Sequence, residues 1–381
     1  MSPPPSEPDA IRRPLPPGTF RLVTVAGIDV TVATSWFFIV ALIAFLMAPQ
    51  IQIVSPGIGP WAYVAGAGFA VLLYASVLLH ELSHALAARA FDMSVLSINL
   101  HFLGGATEIE GEAATPWREF VIAVVGPITS LAIGGAGWLV VDSFDRGLVW
   151  LALAALTSAN LVVGVLNLVP GLPLDGGRVL QAAVWAVARR RSTGVLVAAW
   201  GGRVAALAAV AYPFVMPFFG RSPEIYDVVI SLMVAAFLWT GATQALQMAK
   251  VRSKLPALQA RRLARPAIGV PADLPLAEAI RRAQEAHAGS VVIVASDGRP
   301  LGIVNEAAVA STPPERRPWL AVGDVARKLE PGLQLAADLA GESLLRAMQA
   351  TPASEYVLVE PDSSIYGVLV SKDVDVAFAA A

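Results

Sequence analysis

Six apolar stretches, at about residues 35–48, 61–91, 118–141, 148–169, 194–219 and 225–249, limit what this chain can become. A helix of about 20 apolar residues crosses the ~30 Å hydrocarbon layer of a bilayer, where no water is present to satisfy a bare backbone. The stretches therefore read as transmembrane helices, the first of them short. Residues 178–190 leave two possibilities, the opening of the fifth span or a separate interfacial helix. With 56% hydrophobic and 15% charged residues over 381 positions, the composition points away from a large soluble core. The expected fold class is an α-helical polytopic membrane protein of about six transmembrane helices, with short membrane-associated β-hairpins and a cytosolic α/β tail.

Charge orients the bundle. The only basic residues in the loops at 49–60, 142–147 and 218–227 are Arg146 and Arg221, whereas Arg12, Arg13, Arg89, Arg118, Arg189, Arg190, Arg191, Lys250 and Arg252 fall at the opposite ends. The positive-inside rule places both termini in the cytoplasm, with Trp61 and Trp150 near the outer interface, in a multi-pass protein of the cell membrane. Residues 1–18 hold seven prolines and read as a disordered leader, with no cleavable signal peptide apparent. A net charge of −2 gives no basis for a nucleic-acid partner, and the absence of cysteine excludes disulfides and thiolate ligands.

Near the end of the second stretch lie His80-Glu81-Leu82-Ser83-His84, which take two of the four histidines in the chain. On a helix the two histidines stand one turn apart on one face, within reach of a single metal ion. Glu81 points to the neighbouring side, where it could act on a water at that metal. Ionisable groups inside a span are costly and default to function. After the fourth stretch comes Asn167-Leu-Val-Pro170-Gly-Leu-Pro173-Leu-Asp175-Gly176-Gly177, whose prolines break the helix and whose glycines let the chain turn. Asp175 is the one carboxylate there. It is either the third zinc ligand or part of an ordinary turn, and the nearby HExxH favours the ligand.

Residues 20–32 and 95–111 alternate apolar and polar side chains, which predicts two short hairpins at the membrane surface, the second interrupted by Gly104-Gly105. An open strand edge there could pair with an extended peptide. His101 reads as a solvated strand-face residue. A basic linker spans 251–265. From 266 to 381 two similar βαββ units follow. One has a helix at 275–287 and strands at 290–295 and 301–304; the other has a helix at 340–350 and strands at 355–359 and 366–370.

HELSH in the second span followed by NLVPGLPLDGG after the fourth resembles the site-2 protease family of intramembrane zinc metalloproteases. The closest likeness is to the six-span branch with a cytosolic pair of cystathionine-β-synthase (CBS) modules, over roughly Gly18 onward. The protease domain is then 19–250. The resemblance implies one Zn2+ per chain held by His80, His84 and Asp175, with Glu81 as general base. It implies that Gly104 and Gly105 help hold an unwound substrate. Asn167 either hydrogen-bonds near the scissile carbonyl or makes an interhelical bond. Gly126-Pro127 is a packing or bending feature. The implied partners are the lipid bilayer, a transmembrane substrate such as an anti-sigma-factor-like regulator, and a second copy through the CBS pair. Adenine-nucleotide binding by such pairs uses a Thr and an Asp; Ala308 stands at one Asp position and Asp373 at the other, with Ser371 displaced, so the pattern is degraded and the ligand is left open.

The expected function is zinc-dependent endopeptidase cleavage in or near transmembrane segments. A surface-acting HExxH protease usually takes a Glu on a downstream helix as third ligand; the absence of a good intramembrane Glu after residue 84 and the presence of Pro-Leu-Asp-Gly argue against it. A CBS-regulated transporter without protease activity is the alternative, and it has no need of Glu81 between the histidines.

Overall fold

The computed structural model describes residues 17–102, 104–304, 306–330 and 332–380, so nearly all of the leader lies outside the described residues. The chain divides into two compact units, one reaching to Ala249 and the other running from Lys250 to Ala381.

Six helices, the last of which runs across the boundary between the units, are long and apolar enough to cross a membrane. They are α1 (Ser35–Val54), α2 (Trp61–Ala90), α3 (Pro116–Val140), α4 (Leu148–Asn167), α6 (Arg191–Val215) and α7 (Ile225–Lys254). The chain is a polytopic helical membrane protein. Two ends differ from the sequence expectation. α1 runs on through Pro49 to Val54, so the first span has 20 residues rather than 14 or so. Residues 175–188 form a separate amphipathic helix, α5 (Asp175–Ala188), which resolves the choice left open by the sequence.

Local chemistry explains where α3 and α5 begin. Thr115 caps α3 by accepting from the Arg118 amide at 3.3 Å, and Pro116 at the first helical position lacks only an N–H that would have had no helical partner. α5 opens with Asp175 itself, where the positive end of the helix dipole favours a carboxylate.

Strands β1 (Thr19–Val25), β2 (Ile28–Ala33), β3 (Val95–His101) and β4 (Gly104–Ile109) were expected as two separate hairpins. They form a single four-stranded sheet in the order β1-β2-β3-β4. The join is a parallel ladder in which Val30 stands opposite Ile98. Period-two alternation cannot reveal a pairing across that much chain. Gly104-Gly105 also differs from expectation: these residues belong to β4, where they pair with His101 and Leu100. One face of the sheet buries Ile28, Val30, Val32, Ile98 and Leu100 against Tyr74 and Ala85 of α2. That packing places β4 beside the helix that carries the HExxH residues.

The second unit contains α8 (Ala260–Leu263), β5 (Ala267–Val270), α9 (Leu276–Glu285), β6 (Ser290–Val294), β7 (Pro300–Val304), α10 (Glu306–Ser311), β8 (Ala326–Lys328), β9 (Gln334–Ala336), α11 (Gly341–Ala350), β10 (Glu355–Val359), β11 (Ile365–Val370) and α12 (Ser371–Ala380). Its sheets run β5-β6-β7-β8 and β11-β10-β9. In each repeat a parallel pair (β5 with β6, β9 with β10) is followed by an antiparallel hairpin. Residues 255–264, read from sequence as linker, are part of this fold. Leu258 and Ala260 are fully buried in one core with Leu344, Leu358 and Tyr356. Arg265 exchanges backbone hydrogen bonds of 2.8 and 3.0 Å with Val368 of the second repeat.

Candidate metal centre

His80 and His84 project from one face of α2, both buried, with their Nε2 atoms 3.2 Å apart. Asp175, at the first turn of α5, brings Oδ2 to 3.1 Å from His80 Nε2 and 3.3 Å from His84 Nε2. Metal–ligand bonds of about 2.0–2.1 Å in tetrahedral array set donor atoms about 3.3 Å apart, which is the triangle seen here. Among the described residues this is the one group of three candidate ligands close enough to share an ion.

The protonation pattern supports the same fit. His84 Nδ1 lies 2.6 Å from the Ile122 carbonyl, which can only accept, so Nδ1 carries a proton and the neutral ring presents a lone pair at Nε2. His80 Nδ1 meets Ser130 Oγ at 2.9 Å and can use it in the same way. A lone pair aimed at a carboxylate oxygen is repulsive unless a cation lies between them. Two neutral imidazoles and one carboxylate suit zinc and leave a fourth position open.

Glu81 is buried beside this triangle and takes no part in it. Its Oε2 accepts from Thr107 Oγ1 of β4 at 2.7 Å. A Cβ on Gly105 would stand 2.5 Å from Glu81 Cγ, so only glycine lets the strand run this close to the carboxylate. Gly104 has φ +132°, a backbone conformation that favours glycine.

The sequence profile of peptidase family M50 matches residues 68–146 and 141–210, segments that include all four of these side chains. A Synechocystis protein assigned to the zinc metalloproteases is 26% identical over 361 residues, 92% of each chain. Another so assigned, Rip3 of Mycobacterium tuberculosis, is 40% identical over 195 residues, which is 49% of each chain. Over residues 68–210 the chain is thus similar to peptidase family M50. Among solved structures, the site-2 protease from Methanocaldococcus jannaschii is similar to it at 25% identity and a TM-score of 0.42, covering 60% of this chain and 95% of that one. The CBS domain of a bacterial CNNM/CorC-family Mg2+ transporter is similar at 14% identity and a TM-score of 0.29, covering 40% of this chain and 95% of that domain. By the M50 match and the zinc-metalloprotease relatives, the protein is a metalloprotease of the site-2 type, and those relatives imply zinc.

The chain supports its histidines from α3, through a stripe the sequence reading did not find. Ile122, Gly126 and Ser130 recur every four residues and so share one helix face. A Cβ on Gly126 would stand 2.5 Å from His84 Cε1 and 2.7 Å from His80 Nε2. Gly126 thus belongs to the wall of the centre, a closer role than the packing or bending expected for it. The four-residue spacing was a usable signal; the carbonyl of Ile122 has no signature in the residue type.

Asn167 ends α4, partly exposed, and among the described residues its side chain makes no hydrogen bond. The buried interhelical bond comes instead from Asn160, whose Nδ2 donates to Ser76 Oγ of α2 at 3.0 Å, one turn before His80. His101 closes β3 and accepts at its carbonyl from the Tyr74 hydroxyl at 2.9 Å; it is not among the three clustered donors. A cavity of about 200 Å³ adjoins the centre. It is lined by Thr107, Glu112, Glu119, Ile122, Arg178 and Arg191, among others, and so reaches the residues that hold both Glu81 and His84.

Proposed function

We propose that this protein is a zinc-dependent intramembrane endopeptidase that cuts peptide bonds in or near the transmembrane segments of membrane-anchored substrates. The observation that carries the reading is the buried His80, His84 and Asp175 triangle with Glu81 at its side, built partly on a helix long and apolar enough to span a bilayer. His80, His84 and Asp175 hold the ion. Bound zinc supplies a Lewis acid that acidifies water and polarises a peptide carbonyl. Glu81 takes the proton of the attacking water and passes it to the departing amine as the C–N bond breaks. Thr107 orients that carboxylate.

A transmembrane helix hides its own peptide bonds and has to be unwound before water can attack. β4 supports that step as an edge strand, with open backbone groups beside Glu81 and with Gly104 and Gly105 keeping its start free of side chains. Asn167 is assigned to the substrate side of the centre only on the family resemblance. The adjoining polar cavity supports access of water. The distribution of basic residues supports a cell-membrane protein with cytoplasmic termini and a site nearer the cytoplasmic face. In the tail, the two βαββ repeats support a CBS-like regulatory module that joins two copies. Anti-sigma-factor-like regulators, with a single membrane anchor, are the substrate class in view.

The test uses the purified full-length protein in detergent, wild type beside Glu81→Gln. One zinc per chain in both, with cleavage of a single-span reporter by wild type alone, is the expected result. Absence of zinc from both proteins would overturn the proposal.

A further inference from the structure

Arg203 lies on α6 about 18 Å from the start of the helix, at 1.5 Å per residue. Its guanidinium sits over two indole rings, 4.9 Å from the centroid of Trp200 and 5.0 Å from that of Trp239 on α7. Its Nε is buried without a hydrogen-bond partner, and among the described residues the side chain makes no ion pair. Cation–π contact stabilises the charge but leaves the five N–H donors unsatisfied. A charge so placed in a span is expensive unless an acceptor reaches it.

The position on the helix says where that acceptor comes from. Ala198, Ala199, Gly202 and Ala206 form the buried face of α6, and the Ala198 carbonyl accepts from Leu172 in the loop that leads to Asp175. Trp200 and Trp239 lie elsewhere, 53% and 44% exposed in surroundings that are lipid for a spanning helix. Helical side chains lean toward the N-terminus, as the Arg203 contact with Trp200 shows, so the guanidinium is drawn toward the end that carries Arg189, Arg190 and Arg191. Snorkelling and local thinning of the bilayer bring headgroups of that leaflet to such a charge.

We propose that Arg203, Trp200 and Trp239 form a binding site for the phosphate of an anionic phospholipid on the outer face of α6 and α7. The guanidinium grips two phosphate oxygens while the indoles flank the glycerol region. An anionic headgroup is favoured over a zwitterionic one because no carboxylate among the described residues balances Arg203. The site is separate from the metal centre and stands whether or not the protease assignment does.

The experiment is native mass spectrometry of the full-length protein in uncharged detergent, titrated with phosphatidylglycerol, phosphatidylcholine or inorganic phosphate. Wild type should hold one phosphatidylglycerol more tightly than Arg203→Met by about tenfold, with Arg203→Lys intermediate because an ammonium neither stacks nor forks. Trp239→Leu should weaken the same lipid and decides the matter if Arg203→Met does not fold. Equal phosphatidylglycerol binding by wild type and the variants would overturn the proposal. So would displacement of the lipid by millimolar inorganic phosphate, which would mark a free-phosphate site. A third overturning result is unchanged lipid binding with a raised KM for a single-span reporter, which would assign Arg203 to substrate.

Discussion

Arg178 donates from Nε to Glu119 Oε1 at 2.9 Å, three residues after Asp175 on α5 and three before Ile122 on α3. The bond joins the helix that supplies the carboxylate of the triangle to the helix that supports both histidines. Glu119 is only 3% exposed, with Arg191 as a second neighbour at 3.8 Å, so its charge depends on these partners. Glu119→Gln should let α5 drift relative to α3. Zinc affinity, measured by chelator competition, should fall roughly 10–100-fold, as for other outer-shell partners. Unchanged affinity would mean that the pair serves stability alone.

Gly126→Ala separates two opposed effects. In most helices the exchange adds about 1 kcal/mol of helix propensity. Here the new methyl group would meet both imidazoles. The expected protein is helical by circular dichroism and monodisperse, yet deficient in zinc by elemental analysis. Full zinc occupancy would show that α3 can withdraw at little cost.

Thr107→Val removes the hydroxyl that donates to Glu81 while keeping a β-branched side chain in β4. A hydrogen bond to a charged group is worth about 1.5–3 kcal/mol, so kcat should fall roughly 10–100-fold with zinc content unchanged. Thr107→Ser should recover most of the rate. Loss of zinc along with the rate would move Thr107 from orienting Glu81 to supporting the centre as a whole.

These three variants also mark the boundary of what the residue order could tell. His80 and His84 were legible because two imidazoles one turn apart stand out against Val, Leu and Ala, and Asp175 because it is the lone carboxylate after two prolines. Thr107 was hidden in ordinary strand alternation, and Ser130 looked like any small residue in a span. Arg203 passed unnoticed within Gly-Gly-Arg-Val-Ala, since a cation sandwiched by distant rings has no local pattern. In the tail, the hairpins β6–β7 and β10–β11 were legible from their β-branched runs and Asp-Gly or Pro-Asp turns. β5, β8 and β9, with three or four residues each, were too short to show a period.

Acid should loosen the tail through Asp373. The Arg265 guanidinium, bonded to both carboxylate oxygens at 2.7 and 3.0 Å, holds that carboxyl below the usual carboxylate range. A carboxyl depressed on folding adds stability that is present above its unfolded pKa, near 4, and lost as pH falls through the lower folded value. Thermal unfolding of the full-length protein, followed from pH 7 to pH 3, should therefore show a tail transition that falls further in wild type than in Asp373→Asn. Parallel curves would show that the pair is too well solvated to matter, as many partly exposed pairs are.

The parallel ladder between β2 and β3 has a consequence of parity. Two strands bonded to each other occupy one side of a membrane, so the chain between residues 33 and 95 has to cross an even number of times. α1 and α2 supply two crossings, a there-and-back that needs no count of basic residues. During synthesis β2 emerges first and waits, unpaired along one edge, until the second crossing returns β3 to it. A helix lost or added between them would leave two half-sheets on opposite faces of the bilayer, with β4 beyond the reach of Glu81.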